Sequence, residues 1–248
     1  MPQPVVLITG AARRIGASIS RHLHQRGYRL VLHFHHSEAL ARELADSLNH
    51  ERPDSVHLLQ QDLTRLDELN ALADRALGCF GRLDALVNNA SAFYPTAMGE
   101  ITPAQWLELS ATNAAAPLLL SQALLPALKK QRGAIVNMVD IHAKNGLQHH
   151  LPYSMAKNAL ATLTRGLAAE LAPEVRVNGI APGAIIWPEH ELDEQQKQTV
   201  LKSVPMGRLG EPEEIAETVA FLLEGPAYLT GQIIALDGGR TCRSLPEA

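Results

Sequence analysis

Residues 5–16 read Val5-Val-Leu-Ile-Thr-Gly-Ala-Ala-Arg-Arg-Ile-Gly16, an apolar run followed by a glycine-containing turn. An amphipathic segment comes next, so the pattern predicts a buried strand, a turn and a helix. Gly10 permits a tight turn and Gly16 permits close packing of the helix on the strand, which leaves the helix N-terminus free to bind a pyrophosphate. Arg14 stands where the usual dinucleotide-binding motif has its middle glycine. An ordinary strand-to-helix turn is the alternative interpretation.

The rest of the chain repeats this alternation of apolar runs and helix-length segments. Over 248 residues it predicts a single α/β domain, 1–248, with a mostly parallel, doubly wound sheet of seven strands. The candidate strands lie near Val5, Leu30, Val56, Leu83, Ala134, Val175 and Gln232. No linker and no internal repeat interrupts them.

Charge and composition exclude several classes of partner. The formal net charge of −4 and the pI near 6.3 give no reason to expect binding to nucleic acid or to an anionic membrane surface. We expect no apolar stretch of membrane-spanning length, and the first apolar run is too short for a signal core, so a cytoplasmic protein is predicted. Cys79 and Cys242 are far apart, and no structural disulfide is expected.

The second predicted strand ends at His35-His36-Ser37. A site selective for NAD usually presents an acidic residue there to the ribose hydroxyls, and this segment has none. Arg13, His36 and Ser37 instead offer donors suited to a ribose phosphate, which favours NADPH over NADH. A solvated strand end explains the histidines equally well. No metal site is expected, because matching carboxylates and cysteine pairs are not evident.

Tyr153 and Lys157 are four residues apart, so on a helix they share one face. We expect the ammonium group to lower the pKa of the phenol from its usual value of about 10 and to make it a proton donor near neutral pH. A lone pair of this kind often arises by chance.

Polar residues also follow or interrupt two other apolar runs. Asn88-Asn89-Ala90-Ser91 follows the fourth predicted strand, where its amides are suited to hold a neighbouring strand end and to place backbone beside a cofactor. A simple Asx turn is the alternative. Asn113 lies in an apolar helical stretch, where it either fills a kink or holds a water in a proton path.

The segments TGAARRIG, NNAS and YSMAK, with Asn113 and Pro182-Gly183, resemble the short-chain dehydrogenase/reductase family in order and spacing over nearly the whole chain. The resemblance implies a Rossmann-type fold. The departures from the common pattern look like the pteridine reductases: Arg14 for a glycine, Ser91 for the last glycine of NNAG, Asp140 for serine, and Phe93-Tyr94-Pro95 after NNAS.

This resemblance implies roles for named residues. The catalytic residues would be Asp140, Tyr153, Lys157 and Asn113. The substrate would contact Arg14, Ser91, Phe93, Asp140, Tyr153 and Trp187, with Phe93 stacking a pterin against the nicotinamide; a packing role in the core is the alternative for Phe93. NADPH would be bound by Gly10, Arg13, Arg14, Ile15, His35, His36, Ser37, Asp62, Leu63, Asn89, Ala90, Ser91, Tyr153, Lys157, Pro182, Gly183 and Ile185.

Asp140 decides which substrate the site favours. Hydride transfer to a ketone builds negative charge on oxygen, which calls for a donor such as a serine hydroxyl. An ionised aspartate only accepts hydrogen bonds, so it fits a nitrogen heterocycle with amino groups better. We therefore expect reduction of dihydropterins, with dihydrofolate and oxidised pterins as further candidates. The alternatives are a reductase of 3-oxoacyl thioesters or small ketones, a non-catalytic NADPH-binding protein, and a purely capping role for Asp140.

Residues 184–204 change from apolar to charged and are expected to form a helical lid over the substrate. Trp187 either lines the pocket or anchors this lid. The threonine that many relatives carry shortly after Pro182-Gly183 is absent here. By analogy with relatives we also expect a homotetramer, in which the tail after Arg240 reaches a neighbouring subunit's site.

Overall fold

The computed structural model describes residues 3–187 and 193–242. Residues 188–192 of the predicted lid and 243–248 of the predicted tail lie outside the described residues. Seven strands, numbered in chain order, form the sheet: β1 Val5–Ile8, β2 Arg29–Phe34, β3 Val56–Gln60, β4 Ala85–Asn88, β5 Ala134–Met138, β6 Arg176–Pro182 and β7 Ile233–Leu236. Each begins within two residues of its predicted position, and every strand pair is parallel. The predicted fold class is therefore confirmed.

Helices connect the strands and cover both faces of the sheet. They are α1 Arg14–Gln25, α2 Glu38–Glu51, α3 Leu69–Phe80, α4 Pro103–Ser110, α5 Ala116–Gln131, α6 Leu151–Leu171, α7 Glu194–Lys202 and α8 Pro212–Glu224. A π-helical turn at Ala111–Ala115 joins α4 to α5, and short 3-10 helices lie at Leu66–Glu68, Ile141–Ala143 and Arg240–Cys242.

Side chains of the strands alternate between two hydrophobic clusters. In β1, Val6 and Ile8 pack with residues of α1, α2 and α8, whereas Val5 and Leu7 pack with residues of α3 and α5 on the opposite face. All four side chains are fully buried. Burial on both faces is why the strands appear in the sequence as continuous apolar runs.

The strand order reverses beside β1, which positions the site. In the order β3-β2-β1-β4-β5-β6-β7, the chain builds outward from β1 to β3 and then returns to place β4 on the other side of β1. Ligands of open α/β sheets bind outside the carboxyl ends of the strands at such a reversal. The Thr9 N–H donates to the Val87 carbonyl over 3.0 Å and ties the two strand ends together there.

The helical run Pro103–Gln131 corrects one expectation from the sequence. It is continuous over 29 residues and is long and apolar enough to pass a test for a membrane span, which the sequence analysis did not foresee. Its inward face carries Leu120, Leu124 and Leu128, all fully buried in the core beside α3. A helix covered on one side by a sheet has the same apolar composition as a membrane helix, so composition alone does not distinguish them.

Gly16 is essential to the close packing of α1 on the end of β1. A Cβ atom there would lie 2.2 Å from the Gly10 carbonyl oxygen and 2.8 Å from the Asn89 amide nitrogen. We expect Gly16→Ala to lower the free energy of unfolding by about 1–3 kcal/mol, as overpacking does. Gly78→Ala is the matched control, because Gly78 lies in α3 with nothing within 4 Å of its added methyl.

The Gly78→Ala variant should be about as stable as the wild type or up to about 1 kcal/mol more stable. Urea denaturation of the two variants measures the difference. Equal stabilities would mean that the glycine turn has room to adjust.

Candidate active site

The glycine turn lies against the loop that follows β4. Gly10 has φ +62°, and a Cβ atom there would lie 2.8 Å from the Ala90 Cα atom. The Asn89 side chain donates to the carbonyl oxygens of Thr9 at 2.9 Å and Gly10 at 3.0 Å. The backbone N–H groups of Asn89 and Ala90 both donate to the Thr9 hydroxyl at 3.0 Å. The prediction that these amides hold a neighbouring strand end is confirmed.

His33 of β2 holds the same glycine turn through a hydrogen bond, and the sequence did not predict this role. Its Nδ1 atom accepts a hydrogen bond from the Gly10 N–H at 3.2 Å, and its Nε2 atom donates to the Gln61 carbonyl at 3.0 Å. These two bonds require the neutral ring, and burial lowers the pKa of His33 to about 4. The available signal was a histidine, His33, inside the apolar run from Leu30 to Phe34 of β2.

The N-terminus of α1 opens at the carboxyl end of β1. Arg13 is its N-cap residue, with no hydrogen bond from its side chain to the helix backbone. Arg14 adopts φ +53°, a left-handed conformation that glycine would adopt at lower cost. The Arg14 guanidinium donates to the Trp187 carbonyl at 3.2 Å, which links the glycine turn to the segment after β6. Ile15 is partly buried against the core, behind this helix start.

The end of β2 carries the polar groups predicted for the ribose end of a cofactor. The rings of His35 and His36 are 3.5 Å apart between centroids, and Ser37 is the N-cap residue of α2. His35 Nε2 lies 3.9 Å from an Asp62 carboxylate oxygen, and Leu63 is buried in the core just beyond it. The structure thus places a carboxylate from the loop after β3 beside a strand end that the local sequence left without one.

Tyr153 and Asp140 form the centre of the site. The Tyr153 hydroxyl donates to Asp140 Oδ2 at 2.7 Å. The other carboxylate oxygen, Oδ1, accepts the His142 backbone N–H at 2.7 Å and caps the 3-10 helix Ile141–Ala143. Asp140 therefore has both of the predicted contacts: Oδ2 binds the Tyr153 hydroxyl, and Oδ1 caps the short helix.

The predicted effect of Lys157 on the phenol is wrong. The side chain of Tyr153 is 5% exposed, and the pKa of its phenol is raised well above 10 by burial first and by the Asp140 carboxylate second. Lys157 lies 5.7 Å from the centroid of the phenol ring, and its ammonium donates instead to the Met138 carbonyl at 2.8 Å. Burial lowers the pKa of Lys157 itself to about 8. Sequence spacing placed both residues on one face but did not show which group the ammonium binds.

Ser91 and Asn113 form a second group of hydrogen bonds near the Tyr153 phenol. The Ser91 hydroxyl donates to Asn113 Oδ1 at 2.7 Å. Ser91 also lowers the Tyr153 pKa, against the larger opposite effects of burial and Asp140. The Asn113 amide donates to the carbonyl oxygens of Ala92 at 2.9 Å and Leu109 at 3.0 Å. Asn113 sits in the π-helical turn Ala111–Ala115, a helix irregularity of the kind that the kink-filling interpretation requires. A water held in a proton path stays a prediction.

Phe93 lies at the mouth of the site and not in the core. Its side chain is 52% exposed, with its ring stacked on His150 at 4.6 Å and 11°. The edge contact with the Tyr153 ring is 4.8 Å between centroids. The interpretation of Phe93 as a packing residue is therefore wrong, and an aromatic face stands next to the phenol.

The segment after β6 completes the rim. The Gly183 N–H donates to the Leu236 carbonyl at 2.9 Å, and a Cβ atom on Gly183 would lie 2.7 Å from the Asp237 Cα atom. Pro182 ends β6, and Ile185 is buried under this rim. The helix predicted in the lid segment is present as α7, whereas closure over substrate is a separate prediction.

These residues fit a nicotinamide dinucleotide. The backbone at Gly10 packs directly against Ala90, the first N–H groups of α1 can receive a pyrophosphate, and a buried lysine lies beside a tyrosine. Fold and site together are those of a dinucleotide-binding protein, with Asp140, Tyr153 and Lys157 grouped near the carboxyl end of β5.

Similarity to known proteins narrows this class. A family model described as Enoyl-(Acyl carrier protein) reductase matches residues 10–241. Pteridine reductase 1 of Leishmania tarentolae is 38% identical over 95% of this chain and 96% of that protein. The uncharacterized oxidoreductase YmfI of Bacillus subtilis is 37% identical over 95% and 98%. A 3-oxoacyl-(acyl-carrier-protein) reductase, FabG of Staphylococcus aureus, is 32% identical over 94% and 96%.

The chain belongs to the short-chain dehydrogenase/reductase family, and it is an oxidoreductase. Members of this family use nicotinamide cofactors. The family resemblance predicted from the sequence motifs is confirmed.

The buried histidine gives a prediction about stability and pH. The pKa of His33 is about 4 in the folded protein, and its ordinary value is 6.5. As the pH falls, His33 is therefore protonated in the unfolded chain at a higher pH than in the folded protein. The stabilisation is complete above pH 6.5 and is lost as pH falls toward 4, by a total of about 3 kcal/mol.

His33→Asn keeps an acceptor for the Gly10 N–H and removes the titration. The free energies of unfolding of wild type and variant, measured by urea denaturation between pH 7 and pH 4, should therefore converge at acid pH. Two curves that stay parallel would show that His33 does not titrate in this range.

Proposed function

We propose that this protein is an NADPH-dependent pteridine reductase, which transfers hydride to dihydropterins and yields tetrahydropterins. The observation that carries the proposal is the hydrogen bond from the Tyr153 hydroxyl to the Asp140 carboxylate at 2.7 Å. Similarity to pteridine reductase 1 of Leishmania tarentolae supports it. Dihydrofolate and oxidised pterins are further candidate substrates.

The carboxylate disfavours a simple ketone as substrate. Reduction of a ketone develops negative charge on oxygen, and an ionised Asp140 beside that oxygen would repel it. A dihydropterin instead offers amino and ring N–H groups, which can donate to carboxylate and phenol oxygens. The exposed ring of Phe93, in edge contact with Tyr153, provides a stacking surface for a flat heterocycle.

The chemistry divides between the cofactor and this chain. The reduced nicotinamide, when bound, supplies the hydride. The raised pKa of Tyr153 keeps its phenol protonated at neutral pH, and rotation of the hydroxyl about its C–O bond redirects the proton from Asp140 toward a ring nitrogen. Lys157 is buried behind the phenol and its charge offsets the negative charge left on the oxygen after transfer. The hydrogen bond from the Ser91 hydroxyl to Asn113 Oδ1 fixes the orientation of these two side chains beside the phenol.

Selectivity for NADPH rests on the end of β2. His36, Ser37 and Arg13 carry donors at the place where a ribose phosphate would lie. Asp62 lies near His35, and its Oδ1 atom accepts hydrogen bonds from the Thr64 N–H at 2.9 Å and the Thr64 hydroxyl at 2.7 Å.

A substrate panel tests the proposal. The purified protein should oxidise NADPH with dihydrobiopterin or dihydrofolate, much more slowly with NADH, and hardly at all with ketones or 3-oxoacyl thioesters. The decrease with time of the near-ultraviolet absorbance of NADPH measures the rate with each substrate. Turnover of 3-oxoacyl thioesters alone would favour the second candidate, a carbonyl reductase, which the 32% identity to FabG supports.

Removal of the phenol oxygen tests the proton donor. Tyr153→Phe retains the ring that contacts Phe93 but has no hydroxyl to donate. We expect kcat to fall by about a hundred- to ten-thousand-fold, the usual contribution of positioned acid catalysis, while the Kd for NADPH changes little. Fluorescence titration with NADPH is the control for the fold, and an unchanged kcat would exclude Tyr153 from the reaction.

Replacement of the carboxylate tests the substrate argument. Asp140→Ser restores a hydroxyl donor, so dihydropterin turnover should fall by roughly tenfold or more and ketone turnover should rise. Asp140→Asn is the matched control, because its amide oxygen can still accept the His142 N–H and cap the helix. If Asp140→Ser reduced pterins as fast as the wild type, the carboxylate would have no part in substrate choice.

We further propose a cytoplasmic homotetramer in which 184–204 closes over the substrate. Apolar side chains exposed on three helices support assembly; they are Trp106 and Leu107 of α4, Leu118 of α5 and Met155 of α6. Exposed apolar side chains are often buried where subunits meet.

A further inference from the structure

Phe93 lies on a loop whose backbone is anchored on both sides of it. On the side toward β4, the Ala92 carbonyl accepts a hydrogen bond from the Asn113 amide at 2.9 Å. On the other side, buried Thr96 forms an isolated parallel bridge with His150. The backbone therefore has a fixed path through Phe93, and this path runs beside the residue that precedes α6.

The ring of Phe93 is oriented by other rings, because a phenyl group offers no hydrogen-bonding atoms. The imidazole of His150 stacks on it with the centroids 4.6 Å apart and the planes 11° from parallel. The Tyr153 ring makes an edge contact at 4.8 Å. One face of Phe93 is thus covered by the imidazole, yet the residue is 52% exposed. The exposed area therefore belongs to the opposite face and the outer edge of the ring.

His150 is itself held in one orientation. Its Nδ1 atom donates to the Gln148 carbonyl at 2.8 Å, since a carbonyl oxygen can only accept. Its backbone N–H donates to the Leu147 carbonyl at 3.0 Å, and its own carbonyl accepts the Ser154 N–H at 2.9 Å in the first turn of α6. These three hydrogen bonds fix both the backbone and the ring of His150, so the imidazole gives Phe93 a backing of defined orientation.

We infer that His150 is a positioning residue for substrate binding, which backs the Phe93 ring and keeps its open face in place for the heterocycle. The inference rests on the proposed function, in which a dihydropterin stacks on Phe93. His150 acts through Phe93, because the phenyl ring lies between the imidazole and that open face. Without the imidazole, the phenyl ring has several staggered rotamers available to it. A ligand binds more weakly when the competent orientation is only partly populated.

Removal of the imidazole should weaken substrate binding and spare the reaction. In His150→Ala, we expect KM for dihydrobiopterin to rise about three- to tenfold, the factor that an aromatic pair contributes to an equilibrium constant. We expect kcat and the Kd for NADPH to stay within about twofold, because Asp140 and Tyr153 are unchanged. His150→Phe restores a flat ring and should keep KM within about twofold of the wild type. Steady-state kinetics and fluorescence titration with NADPH measure these quantities.

A double-mutant cycle distinguishes action through Phe93 from direct action on the substrate. Phe93→Ala alone should raise KM at least as much as His150→Ala does. Addition of His150→Ala to Phe93→Ala should then have no further effect, because no ring remains to be positioned. A second rise in KM of the same size would overturn the inference, since His150 would then act without Phe93.

A second pair of the same residue types provides the matched control. His57 in β3 contacts Phe80, the last residue of α3, with the ring centroids 4.7 Å apart and the planes at 62°. His57 lies near the amino end of its strand, whereas the site is at the carboxyl ends. His57→Ala removes a histidine and a ring contact and should leave KM unchanged. An equal rise in KM in His57→Ala and His150→Ala would overturn the inference, because it would indicate a general loss of structure.

Two substrates separate the inference from the proposed function. Dihydrobiopterin and dihydrofolate share the pterin ring and differ in the tail, so His150→Ala should raise KM by the same factor for both. A rise confined to dihydrofolate would show that His150 contacts the tail. That result, an unchanged KM, or a fall in kcat alone would each overturn the inference and leave the proposed function intact. A wild type that reduces ketones and no pterin would overturn the proposed function and the inference with it.

Discussion

The close approach of Gly10 to the loop after β4 is the constraint on which the site depends. It brings the ends of β1 and β4 within hydrogen-bonding distance of Asn89, whose amide occupies two carbonyl groups of the glycine turn. Gly16 lets α1 begin directly behind this turn, and His33 supports it from within β2. These contacts hold the glycine turn, the start of α1 and the loop after β4 together at the binding edge of the sheet.

The reactive centre depends on burial as well as on contact. Tyr153 and Lys157 lie in a region with little water, where the charged form of each group is disfavoured. The Asp140 carboxylate therefore raises the pKa of a phenol that burial has already raised. The phenol is therefore protonated at neutral pH. The same carboxylate caps a short helix through its second oxygen, which fixes its orientation toward Tyr153.

The sequence predicted the sheet well because each of its strands is a short apolar run bounded by turn residues, and because parallel strands are buried on both faces. It also indicated Asn89, which follows an apolar strand, and Asn113, which interrupts an apolar helix, and the family resemblance indicated Asp140. It did not predict His33, since the partners of that ring come from the glycine turn and from the loop after β3. It placed Lys157 beside Tyr153 but assigned it the wrong effect, because the Met138 carbonyl that binds the ammonium is distant in sequence.

The sequence by itself determined the fold class, the family and most of the polar residues of the site, because these follow from local periodicity and from short motifs with fixed spacing. Tertiary structure decided the protonation of these groups and their partners. Asp62 beside His35 and Arg14 bound to the Trp187 carbonyl both join segments that are distant along the chain. Such pairings, and the burial that shifts a pKa, depend on how helices and strands pack around the edge of the sheet, which no local pattern specifies.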